Sequence, residues 1–163
     1  MTTIDDLVDD TIDRDDLPRW SVADVHESVD SRSFTDAMER SGADADRLVA
    51  LFDDLDIRAT EPRPPTDVDG EAADQALVAL NRVSEDLAVL RVYAYTTVAT
   101  DSRDSSAQAA LGEARRIDAT VRPLTARLAD WVAALGVDRL ATVSPQVAGH
   151  RGPLLRLAAR SEH

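Results

Sequence analysis

The chain has 163 residues, 44% hydrophobic and 30% charged, a composition that predicts one globular domain with a sizeable core. Its net charge of −13 argues against a nucleic-acid partner and against an anionic membrane surface, since both require clustered basic residues. The absence of Cys excludes a disulfide scaffold, a thiol catalyst and a thiolate metal site. Aromatic residues make up only 4% of the chain, so we expect a core of Leu, Val and Ala, which suits packed helices.

The N-terminal segment, residues 1–16, is dense in carboxylates. Its aspartates are Asp5, Asp6, Asp9, Asp10, Asp13, Asp15 and Asp16. Because closely spaced like charges oppose compaction, we predict disorder here. Helical spacing of four apolar residues leaves a short helical turn as the alternative: Ile4, Leu7, Val8 and Ile12. The segment lacks the basic and apolar regions of a signal peptide, and the chain has no apolar run of about 18 residues, so we expect a cytoplasmic protein.

Residues 17–31 are predicted to form a strap over an apolar surface. Pro18 restricts Leu17 to an extended backbone. Three apolar side chains would anchor this strap: Trp20, Val22 and Val25. Trp20 is too large for an exposed strap, so we expect it to be buried.

The first long helix is predicted to run from Ser33 to about Asp56. Ser33 has the side chain of an N-cap residue, and Asp36 follows three residues later. Gly42 weakens the middle of this helix and leaves a kink or a break as an alternative. One apolar stripe follows the helical period: Phe34, Met38, Ala45, Leu48, Phe52 and Leu55.

Residues 57–70 are predicted to be a linker, because three prolines exclude regular helix: Pro62, Pro64 and Pro65. A second long helix is predicted to begin after Asp69 and to run to about Thr100. Its apolar stripe consists of Ala73, Ala76, Leu80, Val83, Leu87, Leu90, Ala94 and Thr97. Three further residues widen this stripe, which predicts that the helix is covered on two sides: Leu77, Val89 and Val98.

The third helix is predicted from an N-cap at Asp104 to a C-terminal Gly136. Its apolar residues alternate three and four apart along one face: Ala107, Ala110, Ala114, Ile117, Val121, Leu124, Leu128, Trp131 and Leu135. Pro123 removes a backbone hydrogen bond inside it and should bend the axis. The loop at about residues 99–106 is short, so the second and third helices should be antiparallel neighbours.

Beyond Gly136 we expect a brief turn and then a final helix that begins at Pro145 and ends near Arg160. Three residues interrupt the first half of that helix: Gly149, Gly152 and Pro153. The predicted fold is therefore all-α, with an antiparallel helical hairpin at about 71–100 and 104–136. This hairpin would pack with the long N-terminal helix and the short C-terminal helix in one domain over residues 17–163.

Residues with catalytic side chains form no recognisable constellation. The three histidines, at 26, 150 and 163, include no H-E-x-x-H pair, and we assign them surface or packing roles. There is no Gly-rich phosphate loop and no nucleophile elbow. Tyr93 and Tyr95 either both pack, which we favour, or lie one inward and one at a groove. We therefore predict no catalytic, cofactor-binding or metal-binding residue in this chain.

Three segments resemble the oligoendopeptidase F proteins, zinc metallopeptidases of the thimet-oligopeptidase-like family. LPRWSVADVHESVDSRSF at 17–34 is similar to the start of those proteins. YAYTTVATDSRDSSAQAALGE at 93–113 resembles their helix-loop-helix junction, with a tyrosine-rich helix end, a threonine-aspartate loop and an alanine-glutamine start. VAGHRGPLLRLAAR at 147–160 resembles their next helix, although tyrosine is more usual at the position of His150.

The resemblance implies an almost wholly helical fold whose N-terminal helices form one wall of a peptide-cleaving cleft. In that family, an H-E-x-x-H helix and a further glutamate hold zinc, and the glutamate of the motif activates water. That motif does not occur in this sequence, so the resemblance assigns no catalytic or zinc residue here. It implies a fragment that is inactive alone, with zinc in the missing catalytic domain and the peptide substrate bound by the complete enzyme.

Two functional hypotheses follow from these observations. The first is a non-catalytic helical domain of such a peptidase, which helps to enclose the substrate cleft. The second is a free-standing acidic helical module that binds another protein through an apolar groove. Under either hypothesis the apolar faces of the strap and of the last helix predict partner binding or self-association. An independent enzymatic activity is disfavoured, because no nucleophile, base or metal constellation is visible.

Overall fold

A computed structural model describes residues 26–161, with side chains as far as residue 159. This part of the chain contains α-helices and no strand, which confirms the predicted all-α class. The helices are α1 (Arg32–Asp54), α2 (Asp67–Thr100), α3 (Ser105–Leu135), α4 (Val137–Leu140), α5 (Pro145–Gly149) and α6 (Arg151–Ser161). The predictions for residues 1–25, including the disordered segment and a buried Trp20, concern residues outside this range.

The predicted hairpin of the second and third helices is confirmed. Helices α2 and α3 pack along their lengths, and α1 packs against both of them. Asp104 caps α3 by accepting a 2.9 Å hydrogen bond from the backbone N–H of Ala107. Gly136 ends the helix with φ +81°, a left-handed conformation that glycine adopts without steric cost. The predicted stripe of α3 is buried, apart from the partly buried Ala110.

Helix α1 begins at Arg32 rather than after Ser33, so the predicted N-cap is wrong. The cap is Ser31, whose side chain accepts from the backbone N–H of Phe34. Two serines two residues apart both have capping chemistry, and the sequence does not say which one the chain uses. The helix continues through Gly42 without a break.

Arg127 of α3 attaches the end of α1 to the bundle. Its Nε donates to the backbone carbonyl of Ile57 at 2.9 Å, and its Nη1 donates to Asp53 at 2.7 Å. The guanidinium carbon also lies 5.8 Å from the ring centroid of Phe52. The first residue of the predicted linker, Ile57, is fully buried at this junction. Arg127 thus provides a partner from α3 for a backbone carbonyl just beyond the end of α1.

Helix α2 begins at Asp67, before the predicted start after Asp69. Thr66 and Asp69 form a capping box, in which each side chain accepts from the other residue's backbone N–H. Arg63 donates to both oxygens of the buried Asp69, at 2.8 and 2.7 Å. These hydrogen bonds hold the pKa of the Asp69 carboxyl well below its usual range, and bonds from Thr66 add to the effect.

The predicted final helix is two helices, because the chain breaks at His150 between α5 and α6. Ser144 caps α5, and its hydroxyl donates to a carboxylate oxygen of Asp74 in α2. Nearby, the backbone of α2 at Gly70 approaches Val143 so closely that a Cβ there would lie 2.1 Å from the Val143 carbonyl oxygen. The first turns of α2 therefore position the C-terminal helices in two ways. The Asp74 carboxylate accepts hydrogen bonds at the start of α5, and the absence of a side chain at Gly70 allows the backbone of Val143 to lie close.

Candidate functional site

The two tyrosines of α2 lie in different environments. Tyr93 is buried at 6% exposure, as the favoured interpretation predicts. Tyr95 is 61% exposed and lines a groove, so the favoured prediction that both tyrosines pack is wrong, and the alternative with one inward and one at a groove is confirmed. Residues two positions apart on a helix point in directions roughly 200° apart, which is why one tyrosine packs while the other does not.

Tyr93 belongs to an aromatic cluster with His26 and Phe34. Its ring centroid lies 5.3 Å from that of His26 and 5.4 Å from that of Phe34, and the His26 and Phe34 centroids are 5.2 Å apart. The Tyr93 hydroxyl donates to the backbone carbonyl of His26 at 2.8 Å. Burial raises the pKa of that hydroxyl. The cluster therefore holds the segment just before α1 against the C-terminal half of α2.

A groove of about 920 Å³ runs between the C-terminal half of α2 and the middle of α3. We call it the α2–α3 groove. Its apolar lining residues are Val92, Tyr95, Leu111, Ala119, Pro123 and Ala126. Val92 and Tyr95 are both more than half exposed, although large apolar side chains are normally covered. The groove is therefore an apolar surface without a partner among the described residues.

Charged residues at the α2–α3 groove are mainly cationic. Arg91, Arg115 and Arg122 line it together with a single carboxylate, Asp118. Arg122 pairs with Asp118 at 2.7 Å. Within residues 26–161, Arg91 and Arg115 have no ion-pair partner. The groove therefore carries a local excess of positive charge, although the chain as a whole has 31 acidic and 18 basic residues.

A second surface lies along the contact between α1 and α2. We call it the α1–α2 face, and it contains a groove of about 570 Å³. Val78 and Val89 are each about half exposed there, at 53% and 51%. The prediction that Val89 widens the buried stripe of α2 is therefore wrong, whereas Leu77 is buried and Val98 is partly buried. The charges along this face are of both signs: Arg40, Arg47 and Arg82 with Asp44, Asp74 and Asp86.

The described histidines have packing and capping contacts. His26 lies in the aromatic cluster, with its Nδ1 at 3.1 Å from the Ser33 hydroxyl. His150 ends α5, with its Nδ1 at 2.9 Å from the Gln146 carbonyl oxygen. His163 lies outside the described residues. Over residues 26–161, no three His, Asp or Glu side chains are grouped as metal ligands. Within the same range, no helix combines the length and the apolar character needed to cross a bilayer.

No protein-family model, curated protein or solved structure matches this chain. The sequence left open that one tyrosine lies at a groove, but it did not locate the α2–α3 groove, because that groove combines side chains from two helices. One signal was present in the sequence: Val92 and Tyr95 are apolar but lie off the buried stripe of α2.

Proposed function

We propose that this chain is a non-catalytic helical domain of an oligoendopeptidase F-like zinc metallopeptidase. In this proposal it forms part of the wall of the peptide-binding cleft. Zinc and the water-activating glutamate belong to a separate catalytic domain, against which this domain docks. The observation that carries the proposal is the contact between the two segments with the most specific resemblance, 17–34 and 93–113.

The contact lies in the aromatic cluster. His26 and Phe34 come from the first resembling segment, and Tyr93 is the first residue of the second. The hydrogen bond from Tyr93 to His26 joins residues 67 positions apart. Because the two segments pack against each other in this contact, there is a physical reason for both to be present in the same chain. The helix end at Thr100, the loop and the capped start of α3 also agree with the helix-loop-helix junction that the resemblance implies.

The α1–α2 face is the proposed contact with the catalytic domain. Val78 and Val89 offer apolar side chains there, and charges of both signs flank them. A surface with apolar residues and a mixed polar rim has the composition of an interface between domains. The α2–α3 groove is lined by a different set of residues from this face.

The first experiment is to read the coding sequence beyond residue 163 and the neighbouring reading frames. The proposal expects an H-E-x-x-H sequence there, followed by a further glutamate. Its absence removes the support for a peptidase domain. If it is present, the encoded catalytic region should bind this chain in a purified mixture, and Val78→Asp with Val89→Asp should weaken that binding at least about tenfold.

Val68→Asp is the matched control for that experiment. Val68 is also exposed on α2, but it lies in the first turn, away from the α1–α2 face. A negative charge is tolerated at a helix N-terminus, so this variant should bind as the parent does. Equal weakening by both changes would contradict docking through the α1–α2 face.

The second candidate function is a free-standing protein-interaction module, and the α2–α3 groove favours it. An apolar channel with arginines along it has the form that binds an amphipathic helix from another protein. An assay of quenched-peptide hydrolysis distinguishes both candidate functions from an independent enzymatic activity. The purified chain with zinc should show no hydrolysis, and zinc-dependent turnover would contradict both proposals. A stable complex with a partner that has no peptidase motif would favour the module.

A further inference from the structure

We propose that the α2–α3 groove binds the acidic N-terminal segment of the same chain, residues 4–12. The segment lies outside the described residues, and it is the occupant that the charge and shape of the groove favour. Binding would follow the helix-in-groove mode, in which one apolar side of a helix enters an apolar channel. The inference goes beyond the proposed function and does not depend on it.

The α2–α3 groove and the N-terminal segment carry complementary charges. Arg91 and Arg115 extend beside the apolar floor without an ion-pair partner in the described part of the chain. The N-terminal segment has four aspartates among residues 5–10 and no basic residue before Arg14. Placing these carboxylates beside unpaired guanidinium groups is favourable, and it offsets the repulsion among the aspartates.

The apolar pattern of the segment fits a helix with one apolar side. Ile4, Leu7, Val8 and Ile12 recur at the spacing of one helical side. Asp5 and Asp9 lie next to that side on a helical projection, where they would meet the arginines at the edge of the groove. A short acidic helix is weak in isolation, so a preformed apolar channel would supply the burial that stabilises it.

The tether between the segment and His26 is long enough to reach the groove. The aromatic cluster holds His26 against Tyr93, which is two residues from Tyr95 in the groove. The path from Tyr93 to the groove goes around one helix, whose diameter is about 10–12 Å. The 13 residues from 13 to 25 extend to at most about 43–47 Å, which exceeds that path. Tethering also gives the segment an effective concentration in the millimolar range.

A second copy of the chain is a poorer occupant. If two α2–α3 grooves faced each other, Arg91, Arg115 and Arg122 of one copy would oppose the same arginines of the other. Juxtaposed like charges oppose association. The N-terminal segment brings the opposite charge and is present at one copy per groove.

Disulfide trapping in the full-length chain tests the proposal, because the chain has no Cys of its own. Val8→Cys is combined with Ala119→Cys in the groove, and disulfide formation is followed at micromolar protein under mild oxidation. The control combines Val8→Cys with Val78→Cys on the α1–α2 face. Ala119 and Val78 are both exposed, so both thiols are accessible. The groove pair should form an intramolecular disulfide at least about tenfold faster than the control pair, as expected for a locally concentrated segment.

Charge reversal separates specific docking from random encounter. Arg91→Glu with Arg115→Glu should remove the rate advantage of the groove pair, and adding Asp5→Arg with Asp9→Arg should restore it. Arg40→Glu with Arg82→Glu makes the same change in net charge on the α1–α2 face and should leave the rate unchanged. Equal rates for the two cysteine pairs overturn the proposal. Disulfides formed mainly between two molecules also overturn it, in favour of a second copy as the occupant.

Discussion

The hydroxyl of Tyr93 donates a 2.8 Å hydrogen bond to the backbone carbonyl of His26, a residue 67 positions earlier in the chain. This contact joins the segment before α1 to α2, and the ring of Phe34 packs against both residues. The hydrogen bond also holds in place His26, the first residue that the structure describes. The proposed docking of residues 4–12 in the α2–α3 groove uses His26 as the near end of its tether.

Tyr93→Phe should lower stability while keeping the ring in place. The change removes one hydrogen bond from a buried hydroxyl, which corresponds to about 1 kcal/mol. For a protein of this size the melting temperature should fall by about 2–4 °C. Thermal unfolding followed by circular dichroism measures the change. Tyr95→Phe is the control, since the exposed Tyr95 makes no comparable contact, and equal losses in the two variants would contradict the role of this hydrogen bond.

Gly70→Ala should destabilise the protein because the new Cβ would lie 2.1 Å from a backbone oxygen of Val143. Backbone cannot move aside as a flexible side chain can, so we expect a loss of about 1–3 kcal/mol in the free energy of unfolding. Gly112→Ala is the matched control, because nothing lies within 4 Å of its Cβ position on the exposed side of α3. That change should stabilise the helix by about 0.5–1 kcal/mol. Urea unfolding measures whether each change lowers or raises the free energy of unfolding.

Asp69 should make stability depend on pH in the acid range. Hydrogen bonds from Arg63 hold the pKa of the folded Asp69 carboxyl below its ordinary 3.8, so the unfolded chain binds more protons as the solution is acidified. The stabilisation is fully present above pH 3.8. It is lost as the pH falls below that value toward the lower pKa of the folded state.

Asp69→Asn removes this contribution and should flatten the dependence of unfolding free energy on pH between about 5 and 2. The variant should also be less stable at neutral pH, because the paired carboxylate is lost from a capping box. Asp54→Asn replaces an exposed carboxylate at the end of α1 and serves as the control. Parallel pH curves for Asp69→Asn and the parent would contradict the prediction.

Arg127→Ala should release the end of α1 from α3. The side chain donates to the backbone carbonyl of Ile57 and to Asp53, and its guanidinium lies beside the ring of Phe52. Losing these contacts should cost about 1–2 kcal/mol. Amide hydrogen exchange should show faster exchange in the last turn of α1. Arg122→Ala is the control, because its exposed ion pair within α3 should contribute less than about 1 kcal/mol, and equal effects would contradict the prediction.

Local sequence patterns determined the helices and their buried stripes. The three-and-four spacing of apolar residues in α3 depends only on helical geometry, and the burial of Ile117, Leu124 and Leu128 follows from it. Capping was predicted correctly at Asp104 and Gly136. It failed at the starts of α1 and α2, where Ser31 and the capping box of Thr66 and Asp69 begin each helix earlier than predicted.

Only the tertiary structure decided which surfaces are covered. Val89 and Leu77 both widen the apolar stripe of α2, yet Leu77 is buried and Val89 is half exposed. Periodicity gives the direction of a side chain from its own helix axis, but burial depends on whether another helix packs on that side. The same limit applies to the α2–α3 groove, because Arg91 and Arg115 become neighbours only when two antiparallel helices align. The sequence therefore specified the helices, whereas their packing specified the surfaces left for a partner.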